Sequence, residues 1–331
     1  MKKLLNLFMI LILLYLMILI LLKSSLVTSS VIFSFTLWKN NIVPSLFPFF
    51  IFSEILINYG FVELISEIFK PFMNKVFKCS AYSSFIFVMS IISGIPSNAK
   101  YIKKLYDNNL IDDKEGTKIL MFTHFSNPLF ILGTVSIMFL NNKEVGFLIL
   151  LIHYITNIII GVIFRNYNKS SNVNQKVFLN NAYNNMYIRR LENKNTFGGI
   201  LKEALLNSIN TLLLILGIVT FFIIITTLVN EIFNFNPIFQ ATLNGIIEMT
   251  QGLKYIGNLD IPLKTKTIIS TFLLSFGGFS SHMQVMSILS DTKIKYFPYF
   301  VARLIHSLLS SILMFFIFDF YFNLEGLQVL S

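Results

Sequence analysis

Long apolar runs, cut at a few places by glycine, proline and small polar residues, organise this chain. The first runs unbroken from Leu4 to Leu22 behind Met1-Lys2-Lys3. Nineteen residues at a rise of about 1.5 Å each match the hydrocarbon thickness, so an N-terminal transmembrane helix is expected within residues 1–23. The competing reading is a secretory signal, but its apolar core is ordinarily about 7–15 residues, and no Ala-x-Ala site follows. Residues 24–41 are mixed and close on Trp38-Lys39-Asn40-Asn41, an aromatic and cationic cluster suited to a membrane interface. Further spans are expected over about 42–59, 119–140, 145–164, 204–229 and 296–318, with Pro44 and Pro48 loosening the start of the first of these. Phe61, Leu64, Ile65, Ile68, Phe69 and Phe72 recur at helical spacing, with Glu63, Glu67 and Lys70 on other faces, which predicts an amphipathic interfacial helix. Residues 237–255 read as a second amphipathic segment.

Two interruptions stand out. Ser93-Gly94-Ile95-Pro96-Ser97-Asn98-Ala99-Lys100 cuts one apolar run, and Ser275-Phe276-Gly277-Gly278-Phe279-Ser280-Ser281-His282-Met283-Gln284 cuts another. Backbone freed from the helical ladder finds no water in hydrocarbon, so such breaks persist where protein covers them or where they line a cavity. Thr123, His124, Ser126, Asn127 and Pro128 interrupt the span over 119–140 in a similar way. Residues 165–200 are Asn-rich with little periodicity, a solvated linker dividing two halves, 30–164 and 201–318, with a tail over 319–331. Each half has a long span, an amphipathic segment, a helix broken at Gly and a last span with polar groups inside. Gly94-Ile95-Pro96-Ser97 falls in register with Gly278-Phe279-Ser280-Ser281. If both breaks are re-entrant and the N-terminus is cytoplasmic, seventeen Lys and Arg lie inside and eight outside, as the positive-inside rule asks. The tail is then cytoplasmic although it has no Lys or Arg. The predicted fold class is an all-α polytopic membrane protein: an inverted repeat of transmembrane helices with two broken or re-entrant helical hairpins, the architecture of alternating-access carriers.

Composition fixes the environment. Of 331 residues 55% are hydrophobic and 13% charged, about half the charge of a soluble chain. The net charge of +10 therefore belongs to loops at an anionic membrane face, with lipid and not nucleic acid as partner. A single cysteine, Cys79, excludes an intramolecular disulfide. The four histidines lack metal-ligand spacing, and no nucleotide or dinucleotide loop is present, so neither a cofactor nor an enzyme activity is expected. Helix N-termini at the breaks, flanked by Ser97, Asn98, Ser280 and Ser281, suit an anionic group, and Lys100, His282, Arg303 and His306 add cationic or donor chemistry. The candidate substrate site is thus Ser93, Gly94, Pro96, Ser97, Asn98, Lys100, Asn127, Gly277, Gly278, Ser280, Ser281, His282, Gln284, Arg303 and His306, for a small organic anion. Glu54 and Glu248 are candidates for a coupling proton. The bland alternatives are structural: Arg303 paired with Glu248 or snorkelling, Lys100 opening a solvated loop, Asn127-Pro128 a plain kink.

The residues also carry a resemblance. Leu46-Phe47-Pro48-Phe49-Phe50 with Ser53-Glu54, Ser93-Gly94-x-Pro96 with Ala99-Lys100, Ser126-Asn127-Pro128-Leu129-Phe130, Glu248-Met249-Thr250-x-Gly252, the Gly277-Gly278 segment and Ala302-Arg303-x-x-His306 together resemble the YlbJ family of sporulation integral membrane proteins. The likeness covers about residues 30–318 and extends to the "Gate" group, which is similar to parts of concentrative nucleoside transporters and FeoB. The chain departs at Ile95 and Asn98, where relatives tend to have an aromatic and a small residue. The resemblance implies a role in endospore formation, in the cell membrane or the mother-cell-derived membrane around the forespore, with cortex formation depending on it. It further implies transport of dipicolinate, a small aromatic dicarboxylate, and partners that include a second copy or other sporulation membrane proteins. A nucleoside or other metabolite carrier and a non-transporting scaffold remain the alternatives.

Overall fold

A computed structural model describes residues 2–167, 179–193, 195–233 and 235–324, and all regular structure among them is helical. Residues 168–178 of the Asn-rich linker and 325–331 of the tail lie outside the described residues. Among the described residues five helices are long and apolar enough to cross a membrane. α1 (Lys2–Leu22) stands apart, with no residue of its apolar window buried. α2 (Ser24–Leu37) passes through a π-helical turn, Trp38–Ile42, into α3 (Val43–Asn58), so the expected boundary near residue 41 is instead a continuous rod of 35 residues. The wide turn, in which the Val43 N–H donates to the Trp38 carbonyl, lies just upstream of Pro44, whose missing N–H it accommodates.

α10 (Phe197–Ile232) lies antiparallel to this rod. Their order is fixed by Lys23–Glu231 (2.8 Å), Ser30–Thr227 (2.8 Å), Trp38 Nε1–Leu212 O (2.8 Å) and Asn207 Nδ2–Glu54 Oε1 (2.9 Å). Leu37, Leu46 and Phe50 pack against Leu212, Ile215, Val219 and Ile223 between them. The rod therefore ends, at Asn58, where α10 begins. We call this the linker end.

At the linker end α4 (Phe61–Phe72) is amphipathic as expected, but its buried face runs through Val62, Ile65, Ser66 and Glu67 and leaves Ile68 and Phe72 exposed. α9 (Leu179–Glu192) packs on it, so this part of the predicted linker is helical. α5 (Ser83–Ser93) and α6 (Ser97–Asp107) form a re-entrant hairpin: Phe85 and Tyr101 ring centroids are 5.4 Å apart, and Ser93 Oγ meets Tyr101 Oη at 3.0 Å. Each arm, at 11 residues, reaches about half the hydrocarbon thickness. α7 (Asp113–Leu120) then starts inward, unwinds over 121–127 and resumes as the π-helix Phe130–Phe139, which reaches the opposite end. α8 (Lys143–Ile163) returns to the linker end.

The second half repeats this upside down. α11 (Pro237–Ile247) and α12 (Met249–Asn258) form a hairpin that turns at Glu248 and enters from the opposite end. Its arms touch so closely that a Cβ on Gly252 would collide with the Gly245 backbone. α13 (Leu263–Phe276) and α14 (Gly278–Ile288) then cross, broken at Gly277-Gly278, and α15 (Tyr296–Leu324) crosses back. Lys264 at the start of α13 pairs with Asp319 late in α15 (2.6 Å), whereas Asp291, beyond the end of α14, pairs with Lys103 of α6 (2.7 Å). The two sides of the Gly277-Gly278 break therefore lead to opposite ends.

That geometry corrects the predicted repeat. The Gly277-Gly278 segment is a broken crossing, not a re-entrant hairpin, because α13 and α14 with 14 and 11 residues are together long enough to span. The Gly94 hairpin corresponds to the Glu248 hairpin, and the Asn127 break to the Gly277-Gly278 break, so the register of Gly94 with Gly278 does not hold. Outside α1, described Lys and Arg then number fourteen toward the linker end and six toward the other (Lys23, Lys39, Lys143, Lys254, Lys264, Lys266), with Arg303 central. α15 ends away from the linker, on the side poor in cations.

Candidate functional site

Both hairpin tips and both breaks meet halfway through the bundle. There they bound a cavity of about 60 Å³, room for a few waters. Ile95 comes from the first tip, Glu248, Met249 and Thr250 from the second, Ser126 and Asn127 from the first break, and Ser281 and Gln284 from the helix after the second. Ile42, Ser45 and Leu46 of the rod and Ile215 and Val219 of α10 close it. Four helices begin at this level: α6, α12, α14 and the π-helix. Each presents its N-terminal, partly positive end. Glu248 caps α12, its Oε2 accepting from Gln251 N at 2.7 Å, and Asn127 Oδ1 accepts from Leu129 N at 2.8 Å. α6 and α14 have no side-chain cap.

The unwound segment 121–127 shows how non-helical backbone survives at this depth. Ile95 N donates to Phe125 O (2.9 Å), Tyr154 Oη to Ser126 O (3.0 Å), and Ser126 N to His153 Nε2 (3.0 Å). Asn127 Nδ2 reaches Ser45 O and Ser93 O, both at 3.2 Å, stitching the first tip to the rod. Arg303 donates to Met121 O, to Asn157 Oδ1 (3.0 Å) and to His306 Nδ1 (2.8 Å). Its guanidinium thus faces the C-terminal, partly negative end of α7, which offsets a buried charge that has no carboxylate partner. At the second break His282 Nε2 donates to Phe276 O (2.9 Å), and His153 Nδ1, protonated because Nε2 accepts, donates to Ser275 Oγ (3.0 Å).

The predicted residues separate accordingly. Asn127, Ser281, Gln284 and Glu248 line the cavity, and Ser280 joins them through its hydroxyl, 3.3 Å from Glu248 Oε1. Gly94, Gly277 and Gly278 hold left-handed backbone at φ 75°, 91° and 67° and shape the tip and the break. Ser93 bonds Tyr101, Pro96 sits at the first turn, and Ser97 and Asn98 are fully buried with side-chain atoms that have no partner. Lys100 turns away: its Nζ lies 5.1 Å from the Phe50 ring centroid. Glu54 is held at the linker end by Asn207 and, at 3.7 Å, Lys104. His282, Arg303 and His306 are not in the cavity wall but in the polar network behind it, where Arg303 bonds Met121 O, Asn157 and His306 and not Glu248. Sequence reasoning passed over Ser45, Thr250 and His153. His153 reads as one polar residue in an ordinary apolar helix, and its two partners lie 27 and 122 residues away.

The family model described as "Gate: Nucleoside recognition" matches residues 41–143, the stretch from the end of the rod's π turn through the first hairpin and the first break. The sporulation integral membrane protein YlbJ of Bacillus subtilis (strain 168) is 32% identical over 301 residues, which covers 84% of this chain and 74% of that protein. No solved structure matches. With that identity and coverage, and with its multi-pass helical bundle, this chain belongs to the YlbJ family of sporulation integral membrane proteins.

Proposed function

We propose that the chain is a secondary carrier that moves a small organic anion, with dipicolinate as the candidate, across the mother-cell-derived membrane around the forespore, and that cortex formation depends on this flux. The observation that carries the reading is the meeting of two oppositely entering hairpins and two broken crossings at one mid-bundle cavity. An inverted repeat of this kind, related by a pseudo-two-fold axis in the membrane plane, has two packings in which its halves exchange roles, which is what alternating access requires. Uncapped N-termini of α6 and α14 and the donors of Ser281 and Gln284 supply anion chemistry without a cationic wall residue.

The test is saturable uptake of labelled dipicolinate into proteoliposomes, with Ser281→Ala and Gln284→Leu as variants that leave the lattice intact. Uptake reduced at least about tenfold in the variants, a loss of roughly 1.4 kcal/mol, supports the reading. A second reading has its own observation: the matched family model is one of nucleoside recognition, and Glu248 could accept hydroxyl protons of a ribose. Uptake of nucleosides and not of dipicolinate, in the same vesicles, selects it. A folded protein that moves neither points to a scaffold.

A further inference from the structure

Resting on the carrier reading above, we propose that Glu248 is the coupling-proton site, so that one proton rides on its carboxylate with each anion carried. Among the described residues Glu248 is the one ionisable side chain in the cavity wall, and only 2% of its surface is exposed. It stands at the tip of the second hairpin, in the wall of the cavity that both hairpin tips share.

Among the described residues, no charge on a surrounding element neutralises it. Its partners are uncharged: the Gln251 amide N–H, the Ser280 hydroxyl, and the backbone and hydroxyl of Thr250. α11 carries no charged residue. On α12, Lys254 is stacked over the Phe33 ring and Tyr255 Oη accepts from Gln251 Nε2. On α13, Lys264 and Lys266 sit at the opposite end, on Asp319 and on Gly257 O. On α14, His282 uses both ring nitrogens, on Tyr296 and Phe276 O. In the first break His124 faces Tyr299 through Nδ1 and the Gly277 backbone through Nε2. The charges of α10, Lys202, Glu203 and Glu231, are near its ends, and on α3 Glu54 is held by Asn207. On α6, Lys100 lies over Phe50.

An ionised carboxylate in this place repels a bound anion across a low-dielectric gap, and its own burial is costly. Protonated, the same group is neutral and gains an O–H donor, joining Ser281 and Gln284 as a wall that receives carboxylate oxygens. Anion and proton therefore favour each other's binding, and by linkage each raises the other's affinity by the same factor. The balance is simple: one proton leaves water for the Glu248 carboxylate at the loading side and returns to water at the releasing side, with no other bond changed.

The experiment uses proteoliposomes and labelled dipicolinate between about pH 6 and pH 8, where carboxylic acids of ordinary pKa stay ionised. Wild type should accumulate dipicolinate when the loading side is acid and should take up protons with it. Glu248→Gln keeps the donor and the neutrality but cannot release a proton. Measured against its own dipicolinate counterflow, it should lose gradient-driven accumulation at least tenfold, together with its pH dependence. Accumulation driven by the pH gradient in Glu248→Gln overturns the proposal, as does wild-type accumulation without proton movement. Because the proton flux is read on the wild type, the test does not depend on the variant folding. Absence of dipicolinate counterflow in wild type at every pH is a different result and sinks the carrier reading itself.

Discussion

His153 and His306 stand with ring centroids 5.0 Å apart, and each is the eleventh residue of its helix, α8 and α15. The two helices close the two repeats, so the histidines occupy the same position in each repeat's last helix. His306 Nε2 donates to His153 O (3.0 Å) and Thr156 Oγ1 (2.9 Å), while His153 joins the backbone of the first break to Ser275 at the second. Arg303 ties this pair to the end of α7. The polar lattice thus lies behind the cavity and holds the broken helices in register.

Arg303→Met should therefore damage the fold before it damages substrate recognition. It strips partners from Met121 O, Asn157 Oδ1 and His306 Nδ1, all buried, and hydrogen bonds to charged groups are worth about 1.5–3 kcal/mol each. A loss of about 3 kcal/mol or more is expected, read as a lowered thermal midpoint in detergent. Ser281→Ala, at the cavity wall, should leave that midpoint within about 0.5 kcal/mol of wild type.

Gly277→Ala and Gly278→Ala should both be poorly tolerated. Their φ of 91° and 67° lies in the left-handed region, which costs an alanine about 1–2 kcal/mol, and a Cβ would press on His124 Nε2 and on Met249 N respectively. Gly217→Ala, in α10 with open space around it, is the control and should be neutral or slightly stabilising. Yield of monodisperse protein ranks the three.

Three of the four interruptions were legible because glycine or proline stands among small polar residues at each: Gly94 with Pro96, Pro128 after Asn127, and Gly277-Gly278. The fourth was not. Glu248 turns the second hairpin as an extended residue (φ −134°, ψ 108°) and then caps α12 with its own side chain, so neither glycine nor proline announces it. Whether a break re-enters or crosses depends on distant partners such as Lys264–Asp319 and Lys103–Asp291, which no local pattern carries. Arg303 was visible as a charge in an apolar run, but its acceptors, on the end of α7 and on α8, emerge only when the repeats interlock. The anion reading had placed it in the site, and its geometry places it behind the wall.

The Lys103–Asp291 pair should act as a weak latch at the linker end, joining α6 of the first hairpin to the loop after α14. Both carboxylate oxygens lie near Nζ, at 2.8 and 2.7 Å. The hydrogen bond lowers the Asp291 pKa and raises that of Lys103. A lowered carboxylate contributes above its ordinary pKa and loses that contribution as pH falls through the lower folded value. A raised lysine contributes below its ordinary pKa and loses that as pH rises through the higher folded value. The latch is thus complete from about pH 4 to about pH 10 and fails beyond each limit. Asp291→Asn should increase modification of a cysteine placed at Thr117, which is bonded to Lys295 N beneath the latch, by a factor of a few, in keeping with the small worth of exposed ion pairs. Unchanged modification rates would show that the latch does not gate that end.

The last prediction concerns orientation. With the linker end cytoplasmic, fourteen described Lys and Arg of the bundle lie on the cytoplasmic side and six on the other, whereas for the same residues the scheme with two re-entrant breaks places twelve inside and eight outside. It also places the end of α15 outside the cytoplasm, which removes the oddity of a cytoplasmic tail without Lys or Arg. Asp260, exposed in the loop before α13, and Lys293, exposed in the loop before α15, are on opposite sides in this arrangement. They would share a side if α13–α14 re-entered. The native Cys79 is buried and gives little background. A membrane-impermeant maleimide on intact cells should label Asp260→Cys at once and Lys293→Cys only after permeabilisation. Labelling of both before permeabilisation would restore the re-entrant reading, and the reverse order would invert the whole protein in the membrane.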